Sequence, residues 1–338
     1  MNNLNEVIVI AEAGVNHNGD INIAKKLIEC AKEADADYVK FQTFKANELT
    51  THQGELAEYQ KRQVGDYKNQ FEMLKKLELS KDDHIELIEH CRKVGINFLS
   101  TPFEIDSLRL LIELDAKLIK ISSGDLTNYF LLKKTAESNL QTILSTGMGS
   151  LYEIEDAINC LTSNGLDKSK ISLLHCTTEY PCPYSEVNLS VIKNLKKQFG
   201  VRVGYSDHTS GISVSIAAAA LGACIIEKHF TLDKNMIGPD HQASLEPDEL
   251  SQMVKEIRNI TEAIGTGKKA PTKSEIKNMH IARKSLVANK AIKKGERFSG
   301  DNITAKRPGS GISPMKFLEI DQMIAKRDFS KDEQIDLD

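Results

Sequence analysis

A chain of 338 residues is too long for one ordinary domain and suits one large domain followed by a small one. Hydrophobic residues make up 40% and charged residues 27%, a globular balance, and a formal net charge of -4 gives no field that would draw nucleic acid or an anionic membrane. No apolar stretch reaches the roughly 18 residues a membrane span needs, so the expectation is a cytoplasmic protein without a membrane partner.

The first residues, MNNLNEVIVIAEAG, carry no basic region ahead of a short apolar run and read as a first strand rather than a leader. Short runs rich in Val, Ile and Leu then recur at 7–11, 38–41, 97–100, 118–121, 142–144, 171–174, 201–204 and 224–226. Their hydrophobicity is continuous rather than alternating, as in parallel strands buried on both faces. Between them, 23–34, 84–94, 107–114, 152–161 and 191–199 have apolar residues at helical spacing, and 247–264 reads as a last helix. Ser80, followed by Asp82 and Asp83, reads as a helix start. The segment 46–79 is longer than an ordinary connection, and a charge-rich helix over 55–63 is expected to cover one mouth.

Eight alternating β and α elements over residues 1–265 predict a (β/α)8 TIM barrel, which takes about 250 residues. A turn-rich linker over 266–282 follows, and 283–338, with short β-like pieces (SLVA, ERF, NITA), reads as a small β-rich domain. Six cysteines, Cys30, Cys91, Cys160, Cys176, Cys182 and Cys224, include no C-x-x-C pair and read as reduced thiols.

A barrel enzyme works at the C-terminal ends of its strands, and here every end is polar. Strand one ends in Glu12, then Asn16 and His17; strand two carries Lys40 and Gln42, strand three Thr101. Strand four gives Lys120, Ser123 and Asp125, strand five Ser145 and Thr146, and strand six His175, Thr177, Thr178 and Tyr180. Strands seven and eight give Ser206, Asp207, His208 and Glu227, Lys228, His229. One polar end is usually a cap; eight together mark an active site. A buried lysine needs an anion or a partner, so Lys40 and Lys120, with Ser123, Ser145 and Thr146, either hold a phosphate or carboxylate or pair with interior carboxylates such as Glu12. His208 and His229 end neighbouring strands and can face each other. They are metal ligands suited to Mn, Fe, Co or Zn, or hydrogen-bonding histidines without metal.

The motifs EAGVNHNG, VKFQTFKA, STPF, STGM, HCTTEYP, SDHT, EKHFTLDK and GPDH, in this order, resemble the sialic acid synthase family. The tail pieces RKSLVA, IKKGE and KRPGSGISP are similar to its C-terminal antifreeze-like (SAF) domain. The resemblance implies condensation of phosphoenolpyruvate with an N-acyl mannosamine to a nine-carbon 2-keto acid plus phosphate. It also implies a domain-swapped homodimer and a divalent metal, Mn²⁺ ahead of Mg²⁺ or Co²⁺, on His208 and His229. By resemblance Lys40, Thr101, Lys120, Ser123 and Ser145 hold phosphoenolpyruvate, with Ser206 among the substrate-binding residues. Glu12, Gln42, Tyr180 and Asp240 contact the sugar or metal waters, and Arg307 holds the N-acyl group in the partner's barrel. Glu12 or Asp125 manages a water's proton, with Lys120 also counted as catalytic. Asp125 stands where the motif usually has Glu, and Thr178 where some members have Asn.

N-acetylmannosamine, giving N-acetylneuraminate, is the first expectation for the sugar. A 2,4-diacetamido-2,4,6-trideoxymannose, giving N,N'-diacetyllegionaminate, is the second. More distant alternatives are a Schiff-base aldolase using Lys40, Lys120 or Lys228, a metallohydrolase, and a non-catalytic carbohydrate-binding protein. The metallohydrolase is disfavoured because strand one has no His-x-His. The basic run 290–297 reads as a solvated surface rather than a nucleic-acid site.

Overall fold

Eight runs too apolar to face water on either side can be buried only in a sheet covered by helices, and they are. In the computed structural model, which describes residues 7–56, 61, 67 and 69–338, they form β1 (Ile8–Gly14), β2 (Tyr38–Thr43), β3 (Asn97–Pro102), β4 (Leu118–Ile121), β5 (Gln141–Ser145), β6 (Ile171–Cys176), β7 (Arg202–Asp207) and β8 (Ile225–His229). All pair in parallel in the order β3-β2-β1-β8-β7-β6-β5-β4, and the end strands β3 and β4 lie side by side, so the sheet is a nearly closed barrel. Most strands run two or three residues beyond the apolar runs. The ladder continues into the polar residues, with Glu12 opposite His229 and Gln42 opposite Thr101.

The helices around it are α1 (Ile21–Glu33), α2 (Ala46–Leu49), α3 (Gln70–Leu77), α4 (Lys81–Val94), α5 (Ile105–Glu113), α6 (Tyr129–Ser138), α7 (Leu151–Ser163), α8 (Val191–Phe199), α9 (Ser213–Ala220) and α10 (Pro247–Ile264). Their starts are locally encoded. Ser80 and Asp83 form the reciprocal capping pair expected at α4, and Ser150 and Glu153 do so at α7. Of the helix expected over 55–63, residues 57–60, 62 and 63 lie outside the described residues.

Two apolar layers hold the barrel. Leu27, Leu87, Leu108, Leu161 and Leu195, each buried, lie between strands and helices. Ile10, Leu99, Ile143, Leu174 and Ile225 fill the interior. Each such side chain contributes about 2 kcal/mol by leaving water. The interior layer also orients the site. Side chains two apart on a strand share a face. Glu12 follows Ile10 by two, Thr101 follows Leu99, Ser145 follows Ile143 and Glu227 follows Ile225. The polar ends therefore point inward beyond an apolar layer.

The chain divides into two compact units, Met1–Gly265 and Thr266–Asp338. In the second, the segment expected as a linker carries α11 (Lys273–Ala282), started by a Thr272–Glu275 capping pair. Gly309 N–H donates to His280 O (2.8 Å), so this helix packs within the C-terminal unit. The expected β pieces resolve into an antiparallel pair, β9 (Ser285–Ala288) and β10 (Ile303–Lys306), with Arg297 in an isolated bridge to Ile324. Ile292, Phe298, Ile320 and Phe329 form this unit's own core. All six cysteines are free thiols. Among the described residues no helix is long and apolar enough to cross a membrane.

Candidate active site

A cavity of about 490 Å³ opens at the C-terminal ends of the strands. Apart from Thr146, the site residues expected on the barrel line it: Glu12, Lys40, Gln42, Thr101, Lys120, Ser123, Asp125, Ser145, Tyr180, Ser206, His208, His229 and Asp240. Arg307 belongs to the C-terminal unit, where its Nε donates to Ala282 O (3.0 Å). Thr146 turns away and donates to Leu174 O (3.0 Å). Asn16 bonds Phe230 O and Ser244 Oγ (2.8 and 2.9 Å), while His17 Nδ1 accepts from Gly19 N (2.9 Å). These two order the loop that follows β1.

At the floor stand two lysines and two glutamates. Lys40 Nζ lies 2.9 Å from Glu12 Oε2 and 3.8 Å from Glu227 Oε2; Lys120 Nζ lies 3.5 Å from Glu227 Oε1. Pairing with interior carboxylates, one of the two alternatives for the lysines, is thus realised. It does not exhaust them, because both ammoniums line the open cavity. Burial pushes Glu12 up to about 7 against the pull of Lys40. Burial opposes the ammonium of Lys40, yet Glu12 and Glu227 together raise its pKa. Burial pulls Lys120 below its ordinary value, opposed only in part by Glu227.

Beside these charges, Lys40 Nζ donates to Thr101 Oγ1 (3.0 Å), and Gly147 N donates to Ser123 Oγ (3.0 Å). The Ser145 hydroxyl is buried without a hydrogen-bond partner among the described residues. An unpaired buried hydroxyl in the same cavity as two ammoniums is a ready donor for an anion's oxygen. Asp125, by contrast, is engaged at both oxygens, by Ser122 Oγ (2.6 Å) and Asn128 Nδ2 (3.0 Å), and burial raises its pKa.

Across the cavity His208 and His229 face each other with ring centroids 5.6 Å apart, and Tyr180 stacks on His208 at 4.1 Å. His208 Nδ1 is tied to Thr177 O (2.7 Å), which fixes the ring and leaves Nε2 for a ligand. His229 Nδ1 is buried without a hydrogen-bond partner among the described residues, and Asp240 Oδ2 is 3.9 Å from it. Burial pushes Asp240 up to about 6 and, with His208, holds His229 well below the usual histidine range. Burial disfavours a charge on His208, but Cys176 beside it and the Thr177 carbonyl raise its pKa above the usual histidine value. Two facing imidazoles with carboxylates nearby fit a divalent ion, whose charge would displace the proton from His208. No three His, Cys, Asp or Glu among the described residues form a closed set, so water or substrate would complete the coordination.

Two features were missed from sequence. Glu227, a partner of both lysines, was named as a strand-end residue but not as part of the site; the two-residue alternation with His229 was its signal. The other is an apolar wall on the β1–β3 side, made by Val15, Leu49, Met73, Leu74, Leu77 and Phe103, largely from the long segment after β2.

The family model for the NeuB family matches residues 27–269, and that for the SAF domain matches 283–338. An N,N'-diacetyllegionaminic acid synthase of Campylobacter jejuni is 54% identical over 98% of this chain and 99% of its own length. One of Legionella pneumophila is 45% identical over 92% and 88%. The crystal structure of an N-acetylneuraminic acid synthetase from Leptospira borgpetersenii, in complex with citrate, superposes with a TM-score of 0.71 at 37% identity, covering 82% of this chain and 93% of that one. A barrel with this cavity, a family model over most of its length and relatives matched nearly end to end lead to one conclusion: the chain belongs to the NeuB family.

Proposed function

We propose that this protein is a nonulosonic acid synthase. It condenses phosphoenolpyruvate with 2,4-diacetamido-2,4,6-trideoxymannose to give N,N'-diacetyllegionaminate and phosphate. The observation that carries the reaction type is the meeting, in one cavity, of two buried lysines with an unpaired Ser145 hydroxyl and two facing histidines. The choice of sugar shifts from the first expectation, N-acetylmannosamine, to the second. Two relatives, at 54% and 45% identity, are named for the diacetamido product. The apolar wall beside Gln42 and Glu12 also suits a sugar with a methyl at C6 and a second acetamide methyl.

Lys40, Lys120, Thr101, Ser123 and Ser145 bind the phosphate and carboxylate of phosphoenolpyruvate. Gln42, Tyr180 and Asp240 orient the open-chain sugar, with Ser206 bonded to Glu227 (3.0 Å) at the floor. A divalent ion, Mn²⁺ first, held by His208 and His229, would supply Lewis-acid polarisation of the aldehyde. The enol carbon C3 attacks the aldehyde carbon, whose oxygen takes a proton from Glu12. Water adds to the cationic C2, giving its proton to Glu12, whose pKa near 7 suits both halves of a transfer. The resulting hemiketal phosphate breaks its C–O bond, its hydroxyl proton leaves with the phosphate and the 2-keto group remains, while the lysines stabilise the departing charge. Arg307, from the swapped partner of a homodimer in the cytoplasm, completes the reading by holding an N-acyl group. Lys228 is unsuited to a Schiff base because its ammonium is fully buried against Asp207 at 3.1 Å.

The test is phosphate release from phosphoenolpyruvate with Mn²⁺, comparing the diacetamido sugar with N-acetylmannosamine, with EDTA as control. A higher kcat/KM for the diacetamido sugar is expected. The reverse ratio would return the product to N-acetylneuraminate. No release with either, from folded, metal-loaded protein, would sink the reaction.

A further inference from the structure

Behind the two histidines, on the helix-facing side of the barrel wall, lies a second ionic group that the reaction does not use. The β7–β8 ladder has its last rung at Asp207 and Lys228, which stand directly opposite each other. His208 and His229 are the next residues along, just beyond that rung. Alternation along the strands puts Ser206, His208, Glu227 and His229 on the cavity side and Asp207 and Lys228 on the other. Asp207 and Lys228 are fully buried, with Nζ 3.1 Å from Oδ2.

The pair is held from several sides. Asp207 Oδ1 accepts from Thr209 N (2.9 Å) and Thr209 Oγ1 (2.8 Å), and Oδ2 accepts from Ser215 Oγ (2.6 Å) on α9. Lys228 Nζ also donates to Thr209 O. The chain on both sides of His208, at 207 and 209, is thereby tied to the residue preceding His229. A helix-to-strand lock would need only Ser215. The added crossing from Thr209 to Lys228 fixes the separation of the two histidine backbones.

We propose that Asp207 and Lys228 are positioning residues that set the spacing of His208 and His229 for a divalent cation. They act through the backbone and touch neither substrate nor ion. The proposal rests on the reading of the two histidines as ligands.

The test is Mn²⁺ affinity of the full chain, read from the free-ion electron paramagnetic resonance signal. Removing one partner would strand a buried charge, so the informative variant is the double Asp207→Asn, Lys228→Met, which removes both charges together and is expected to fold. Its Mn²⁺ Kd should rise by about 10- to 100-fold, the usual effect of losing an outer support of metal ligands. Saturating Mn²⁺ should then restore most of kcat, with KM for phosphoenolpyruvate unchanged. A folded double variant with wild-type Mn²⁺ affinity would overturn the proposal. Should the double variant fail to fold, Ser215→Ala, which removes one donor to Asp207, carries the test: a weakening of roughly threefold supports the clamp and an unchanged Kd overturns it. A wild type that leaves the free-ion signal untouched would overturn the ligand pair and the clamp together, which distinguishes that failure from failure of the clamp alone.

Discussion

Three carboxyl groups in the cavity, Glu12, Asp125 and Asp240, have raised pKa values, and the surroundings of the first two separate their roles. Glu12 reaches about 7 although Lys40 lies 2.9 Å from its Oε2, on the wall of the open cavity; Asp125 is held at both oxygens by Ser122 and Asn128. Glu12→Gln should therefore lower kcat by about 100-fold, the scale of a lost proton transfer. Asp125→Asn should cost clearly less. Single-turnover phosphate release would measure both, and a larger loss for Asp125→Asn would move the proton-handling role there. At this scale the sequence was informative because the chemistry is carried by residue types that are costly to bury. Lys40, Lys120, His208 and His229 had to find anions, partners or ligands wherever the barrel placed them. What could not be read was which partner each lysine takes, since Glu12 and Glu227 are far apart in the chain and meet only when β1 pairs with β8.

The strands were legible as elements because burial on both faces leaves an unbroken apolar run. α9 (SVSIAAAA) was not, since it is small and apolar on all sides and has no periodicity to detect. The tight approach of β8 to β7 explains one residue that looked unremarkable. A Cβ on Gly204 would overlap the Ile225 carbonyl and lie 2.7 Å from Leu174 Cδ2. Gly204→Ala should thus cost about 2 kcal/mol through overpacking, lowering Tm by roughly 5 °C. A thermal melt showing no loss would mean the strands can separate there without cost. The Asp207–Lys228 rung closes the same pair of strands, so such a variant should also loosen manganese.

At the scale of the barrel unit, stability is linked to pH through histidines buried without charge. Burial, before any neighbouring charge, holds His17 and His241 down to about 4 and keeps His84 below its ordinary value. Unfolded histidines titrate near 6.5, so as pH falls the unfolded chain takes protons first. Their stabilisation is present above about 6.5 and lost between there and about 4. Tm should fall across that window, and His84→Gln should make the fall shallower; an equal slope in wild type and variant would refute the linkage. The two-unit division was legible from length alone, whereas α11 was hidden by the turn-rich composition before it. The floor of the cavity has a calorimetric consequence. Its two ammoniums face two carboxyl groups, so a highly charged anion cannot enter without changing the charge balance among them. Glu12, half-protonated near pH 7, is the group that can respond by drawing a proton from the buffer. Heats of phosphoenolpyruvate binding should therefore differ between Tris and PIPES by a fraction of their ionisation enthalpies, with the sign of proton uptake, and should coincide in the Glu12→Gln protein.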